Sequence, residues 1–219
     1  MNKGTIINLN KNDFFGFFRQ NRIVFMLTIT AFLGILISCL TFSKSSVLNG
    51  LGEKCFSYIT EGRQGESFLN IFTHSLIFNF LLLLVYFLCG TSLMGIVMIP
   101  MLTFSYGFIY GVISSYLCET YLLKGIVFNA LILLPPAAIL VIVILIAGKK
   151  SINFSFEFIK LTMPNNRPLN LFLQFKEFCT NYLIYFSFII VKLYFSVPSL
   201  KTSYFKEFKY SSSSAIYER

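Results

Sequence analysis

From Ser75 to Cys118 the chain runs forty-four residues without a formal charge. A helix rises ~1.5 Å per residue, so a single helix of that length would be about twice as long as the ~30 Å hydrocarbon core of a bilayer is thick. The stretch therefore reads as two membrane crossings joined by a tight turn. Gly90, Gly95 and Pro100 interrupt its Leu/Phe/Val run. Glycine and proline weaken a helix interior more than other residues do, which places the turn within residues 90–100. In the second half Gly107 and Gly111 lie four residues apart, one helical turn, and leave a backbone face that a neighbouring helix can approach closely.

Composition supports a bilayer setting. Charged residues make up 12% of the chain and hydrophobic ones 56%, whereas a soluble domain carries roughly 25% charged residues. Because there are 27 Phe and 12 Tyr but no Trp, any interfacial aromatic belt must be built from Phe and Tyr. The net charge of +9 sits in segments beside the apolar runs. Basic residues there set topology and meet anionic headgroups. Membrane lipids are the expected partner, and nucleic acid is not.

Taken in order, residues 1–22 form a polar, basic segment with Lys3, Lys11, Arg19 and Arg22. Asp13 either caps a short interfacial helix around Phe14 to Phe18 or lies on an extension of the first span. Residues 23–43 give the first crossing, and no A-x-A pattern follows, so it reads as an anchor. Residues 44–73 balance Lys44, Lys54 and Arg63 against Glu53, Glu61 and Glu66 and include Gly50, Gly52, Gly62 and Gly65. They read as a solvated extracytoplasmic loop, passive or used for docking.

The second and third crossings fall at residues 74–95 and 97–118, and the fourth at 125–148, with Asn129 and the pair Pro135 and Pro136 inside it. Adjacent prolines remove two amide donors, which predicts a kink or break near the middle of that span. The carbonyls they free need internal partners or water in a membrane, so that face should point into protein. Residues 149–177 form a basic loop in which Phe154, Phe156 and Phe158 alternate with polar residues and suit the interface. Residues 178–198 supply a fifth crossing whose Lys192 is placed to snorkel to the headgroups. A polar tail covers 199–219. The expected fold is all-α: a single polytopic helical membrane domain over residues 1–219, with about five transmembrane helices and a Gly/Pro-interrupted central hairpin.

With the N-terminus in the cytoplasm, the inner segments carry nine Lys and Arg residues and the two outer loops four, as the positive-inside bias requires. The tail then lies outside with four more basic residues. A re-entrant fifth segment would return it to the cytoplasm.

Reactive chemistry is scarce. His74 and Asp13 are the sole histidine and aspartate. An aspartyl protease needs two aspartates in one site, and a zinc protease needs a cluster of ligands. A serine hydrolase needs a histidine base beside the nucleophile. His74 sits at the outer end of the second span with no acid near it in sequence. Cys39, Cys55, Cys89, Cys118 and Cys179 form no CxxC pair and predict neither a disulfide framework nor a thiolate metal site. No catalytic residue, metal or cofactor is expected. Asn79 and Asn129 are the polar residues inside the spans and suit hydrogen bonds between helices. Broken helices at Gly95–Pro100 and Pro135–Pro136 are also a transporter feature, so a permease subunit is the alternative to an assembly factor.

The pattern resembles the stage II sporulation protein M family. It is carried by Cys89-Gly90, Gly95 and Pro100, then by Tyr106-Gly107 and Gly111, then by Lys124-Gly125 and Leu134-Pro135. Phe32-Leu33-Gly34-Ile35 fits the first span, and Ser196 to Leu200 fits the closing region. Pro136 stands where the family often has a polar amide, Tyr106 where it has Lys or Asn, and Lys192-Leu193 where a carboxylate is common. The resemblance implies a multi-pass protein of the bacterial cytoplasmic membrane that catalyses nothing. It would anchor and localise wall hydrolases, a lytic transglycosylase and an amidase, at the septum during engulfment.

Overall fold

The structure, a computed structural model, describes residues 21–60, 68–162 and 171–201. The expected cap at Asp13, the glycines at 62 and 65, the turn residues at 164–168 and most of the polar tail lie outside the described residues. Among the described residues all regular structure is helical: α1 (Arg22–Phe42), α2 (Ser46–Thr60), α3 (Phe68–Thr91), α4 (Gly95–Phe128), a π turn (Asn129–Leu133), α5 (Leu134–Thr162) and α6 (Leu171–Lys201). Three helical stretches are long and apolar enough to cross a membrane: Arg22–Phe42, Leu69–Thr91, and the 66-residue stretch Gly95–Lys160. The fold is thus an all-α, multi-pass membrane fold.

The segment after α1 is not the open loop that its glycines suggested. Gly52 and Phe56, four residues apart, share one face of α2 and are buried. Phe56 packs its ring against Tyr116 (5.8 Å), Tyr121 (5.9 Å) and Phe128 (6.2 Å). This small second core, with Ile113 and Leu117, fastens α2 to the far end of α4, while Glu53 and Lys54 stay exposed.

Between α3 and α4 the helix breaks only at Ser92–Met94. The Gly95 N–H donates to the Ser92 carbonyl (3.1 Å) and the Met94 N–H to Ser92 Oγ (3.3 Å). Pro100 lies inside α4 and does not end it. Pro100 is the sixth residue of α4, past the first turn, so it withholds an amide from the Ile96 carbonyl without ending the helix.

A second change of direction falls within α4 at Leu122, whose φ is 47° and ψ −129°. Asn129, beyond it, approaches Tyr110 and Ser114, before it, so the chain doubles back there. Gly125 allows the return leg to close up, because a Cβ on it would overlap the Leu117 carbonyl. Left-handed backbone costs a branched residue on the order of 1–3 kcal/mol. Leu122→Gly is therefore expected to raise the thermal midpoint of the detergent-solubilised protein by a few degrees, even after glycine's greater unfolded-state entropy (about 0.4–1 kcal/mol) is subtracted.

At Pro135 and Pro136 the chain stays helical. The adjustment sits just ahead of them, where the π turn lets the Leu134 N–H reach the Asn129 carbonyl. From there α5 runs past Lys149 and Lys150 to Thr162, and α6 begins at Leu171, so both ends of the expected 149–177 loop are helical. Phe154, expected at the interface with Phe156 and Phe158, is buried and stacks on Phe178 at 4.6 Å. Residues two apart on a helix face nearly opposite ways, so Phe154 turns to α6 while Phe156 is exposed; Phe158, one turn beyond Phe154, is exposed as well. The main core joins Leu27 of α1, Tyr86 of α3, Ile99 of α4, Ile144 of α5 and Ile189 of α6.

Candidate functional site

The sequence-predicted residues fall into three places. Gly107 and Gly111 line the seam between α1 and α4, the most extensive helix pair in the molecule. A Cβ on Gly107 would overlap the Ala31 carbonyl, and one on Gly34 would overlap the Phe104 carbonyl. On Gly111 it would stand 2.9 Å from Ser38 Cβ and 3.0 Å from the Ile35 carbonyl oxygen. The two backbones touch directly, as in close-packed membrane helices whose Cα–H groups face carbonyls. Ser38 is wholly buried in this seam, and its Oγ has no hydrogen-bond partner. Gly34 is half of the seam, a role legible only once its partner helix is known.

Gly90 and Gly95 flank the α3–α4 break and face α5. A Cβ on Gly90 would meet Ser151 Cβ at 2.7 Å, and one on Gly95 would meet Ser155 Oγ at 3.2 Å. Here a buried polar chain ties four helices together, α3, α4, α5 and α6. The Tyr182 hydroxyl donates to Ser151 Oγ, which donates to the Tyr86 carbonyl (3.1 Å). The Tyr86 hydroxyl donates to Thr103 Oγ1 (3.0 Å), which donates to the Ile99 carbonyl (2.9 Å). Ser155 Oγ donates to the Ser92 carbonyl (2.6 Å). Each hydroxyl has one proton to give, and in every branch that proton ends on a main-chain carbonyl. The chain contains no imidazole and no carboxylate. It joins helices and activates no nucleophile. The sequence reading missed it, since Ser151 and Ser155 sit beside lysines in what looked like a loop.

Asn79 and Asn129 both reach other helices. Asn79 Nδ2 donates to the Ser75 carbonyl (2.6 Å), and its Oδ1 accepts from Lys192 Nζ of α6 (3.4 Å). Lys192, expected to snorkel outward, turns inward instead and is 9% exposed. The amide oxygen of Asn79 gives its ammonium a polar contact inside the bundle. Asn129 Oδ1 accepts from the Tyr110 hydroxyl (3.4 Å) and from Ser114 Oγ (3.5 Å). Pro135 is exposed and Pro136 half-buried, so the face expected to point into protein lies on the outside of the molecule. Midway along α5, Lys149 Nζ donates to Asn21 Oδ1 (2.6 Å), and Lys150 pairs with Glu177 at 3.2 Å. The latter pair is exposed and contributes little.

Among the described residues, no three His, Cys, Asp or Glu side chains gather where they could hold a metal ion, and all five cysteines are free. Long apolar helices, glycine seams and a hydroxyl chain that closes on carbonyls define a polytopic membrane protein built for helix contact. The family model for stage II sporulation protein M matches residues 8–197. The chain belongs to that family. Comparison with curated proteins and with solved structures found no match.

Proposed function

We propose that this protein is a non-enzymatic scaffold of the bacterial cytoplasmic membrane. It anchors and localises peptidoglycan hydrolases, a lytic transglycosylase and an amidase, at the septum during engulfment. The observation that carries this reading is family membership over nearly the whole chain. The buried hydroxyl chain between α3, α4, α5 and α6, whose protons end on main-chain carbonyls, agrees with it.

In this reading the chain crosses the membrane five times: α1, α3, α4 as far as Leu122, the helix from Leu123 through the π turn to about Gly148, and α6. The change of direction at Leu122 supplies the return inside the 66-residue apolar stretch, and the one at Ser92–Met94 separates that stretch from α3. The Lys/Arg bias puts the N-terminus and the Lys149 end of α5 in the cytoplasm. Helix α2 then lies on the outer face, on the side where wall enzymes work.

The test is affinity recovery of the tagged protein from detergent-solubilised sporulating cells. Co-recovery of wall hydrolases, retained after a high-salt wash, is the expected result. Recovery of an ATPase subunit in their place would favour a permease and overturn the scaffold reading.

A further inference from the structure

Lys149 and Lys150, consecutive on α5, reach opposite neighbours. Lys149 Nζ donates to Asn21 Oδ1 at the start of α1 (2.6 Å), and Lys150 Nζ donates to Glu177 Oε1 near the start of α6 (3.2 Å). Between these two flanks α5 keeps an exposed stripe at helical spacing: Ile139, Ile142 and Ile146, and beyond the lysine pair Asn153. The stripe is apolar, then basic, then polar. Ile139 lies ten residues before Lys149, about 15 Å along a helix, which is half of the ~30 Å hydrocarbon core. The apolar part thus matches the depth of one leaflet, and the lysines come at the level of its phosphates. Arg22, next to Asn21 in the chain, is exposed at the same corner. Lys149 is held by a neutral amide, which fixes its position without cancelling its charge. The Lys150–Glu177 pair is exposed, with side chains 40% and 70% accessible, so it opens at little cost.

We propose that this corner binds an anionic phospholipid, its phosphate between Arg22, Lys149 and Lys150 and an acyl chain along Ile146 and Ile142. Charge selects the headgroup. Three cations stand against the single carboxylate of Glu177, and a zwitterionic headgroup would bring a further cation to them. Arginine's planar fork suits two oxygens of one phosphate. An acidic protein segment would answer the cations but not the isoleucine stripe, whereas an amphiphile with one anionic end answers both, as in other basic pockets between membrane helices. This goes beyond the scaffold reading. It needs the multi-pass fold, but neither the hydrolases nor the sidedness of the termini.

The test is native mass spectrometry of the full chain released from detergent micelles, after titration with dioleoylphosphatidylglycerol or with dioleoylphosphatidylcholine. One retained phosphatidylglycerol per chain is expected, with phosphatidylcholine held roughly fivefold more weakly or not at all. Lys149→Gln/Lys150→Gln keeps an amide donor for Asn21 and removes two charges. Its Kd for phosphatidylglycerol should rise roughly thirtyfold, about fivefold per cation. Lys44→Gln/Lys54→Gln removes two exposed charges at the other end of α1 and on α2, and should leave that Kd unchanged. Arg22→Gln, a single exposed substitution, should weaken binding about fivefold and serves if the lysine variant does not fold. Equal retention of the two lipids, displacement of the lipid by inorganic phosphate, or equal losses in the two lysine variants would each overturn the proposal. So would wild-type affinity in Lys149→Gln/Lys150→Gln, or a second polypeptide retained at this corner in place of lipid.

Discussion

Gly107→Leu is expected to lower the thermal midpoint of the solubilised protein by about 10 °C or to prevent folding altogether. At this position even the first carbon of a side chain would occupy the space of the Ala31 carbonyl. The obstacle is backbone, which cannot rotate aside as a side chain can. Overpacking against movable neighbours costs typically 1–3 kcal/mol, and a main-chain obstacle puts this case at or above the top of that range. Gly111→Leu should behave similarly but less severely, because one of its nearest neighbours is the Ser38 side chain at 2.9 Å. Gly50 supplies the contrast. Nothing lies within 4 Å of its Cβ position, so Gly50→Ala should be neutral or slightly stabilising. Equal losses at positions 50 and 107 would refute the seam.

The second large effect concerns Lys192. Asn79→Leu should destabilise the protein by about 2–3 kcal/mol, because a buried ammonium loses a polar contact while remaining buried. Lys192→Met should cost less, since it leaves only the neutral Asn79 oxygen without its donor, whereas replacing both partners by apolar groups of similar volume is often near neutral. The double variant Asn79→Leu/Lys192→Met should recover most of what Asn79→Leu loses. Thermal unfolding in detergent, run as a double-mutant cycle, reads this directly. Additive losses would mean that the two residues do not interact.

The helices were legible because a bilayer demands long neutral runs, and such runs leave little freedom in where a span begins. The seam was half legible. Gly107 and Gly111 announce a close approach by their spacing, but nothing in the sequence says that Gly34 of α1 returns it, since the three come together only in the fold. What escaped the sequence reading did so for identifiable reasons. Helix α2 was hidden by glycines that look like turn formers, although Gly52 is the small residue on which Tyr116 packs. The continuation of α5 was hidden by Lys149 and Lys150, charges that end a membrane segment without ending a helix. Lys192 read as a snorkelling residue because its inward partner, Asn79, lies 113 positions away. The π turn was unforeseen because it redistributes hydrogen bonds ahead of the prolines that cause it.

The most direct test of this architecture is cysteine accessibility from the two sides of sealed membranes, with single cysteines at His74, Met94 and Leu123 in a protein otherwise free of cysteine. A scaffold that doubles back through the bilayer labels at positions 74 and 123 from the outer face and at position 94 from the cytoplasmic face alone. Labelling of all three from one face would contradict it.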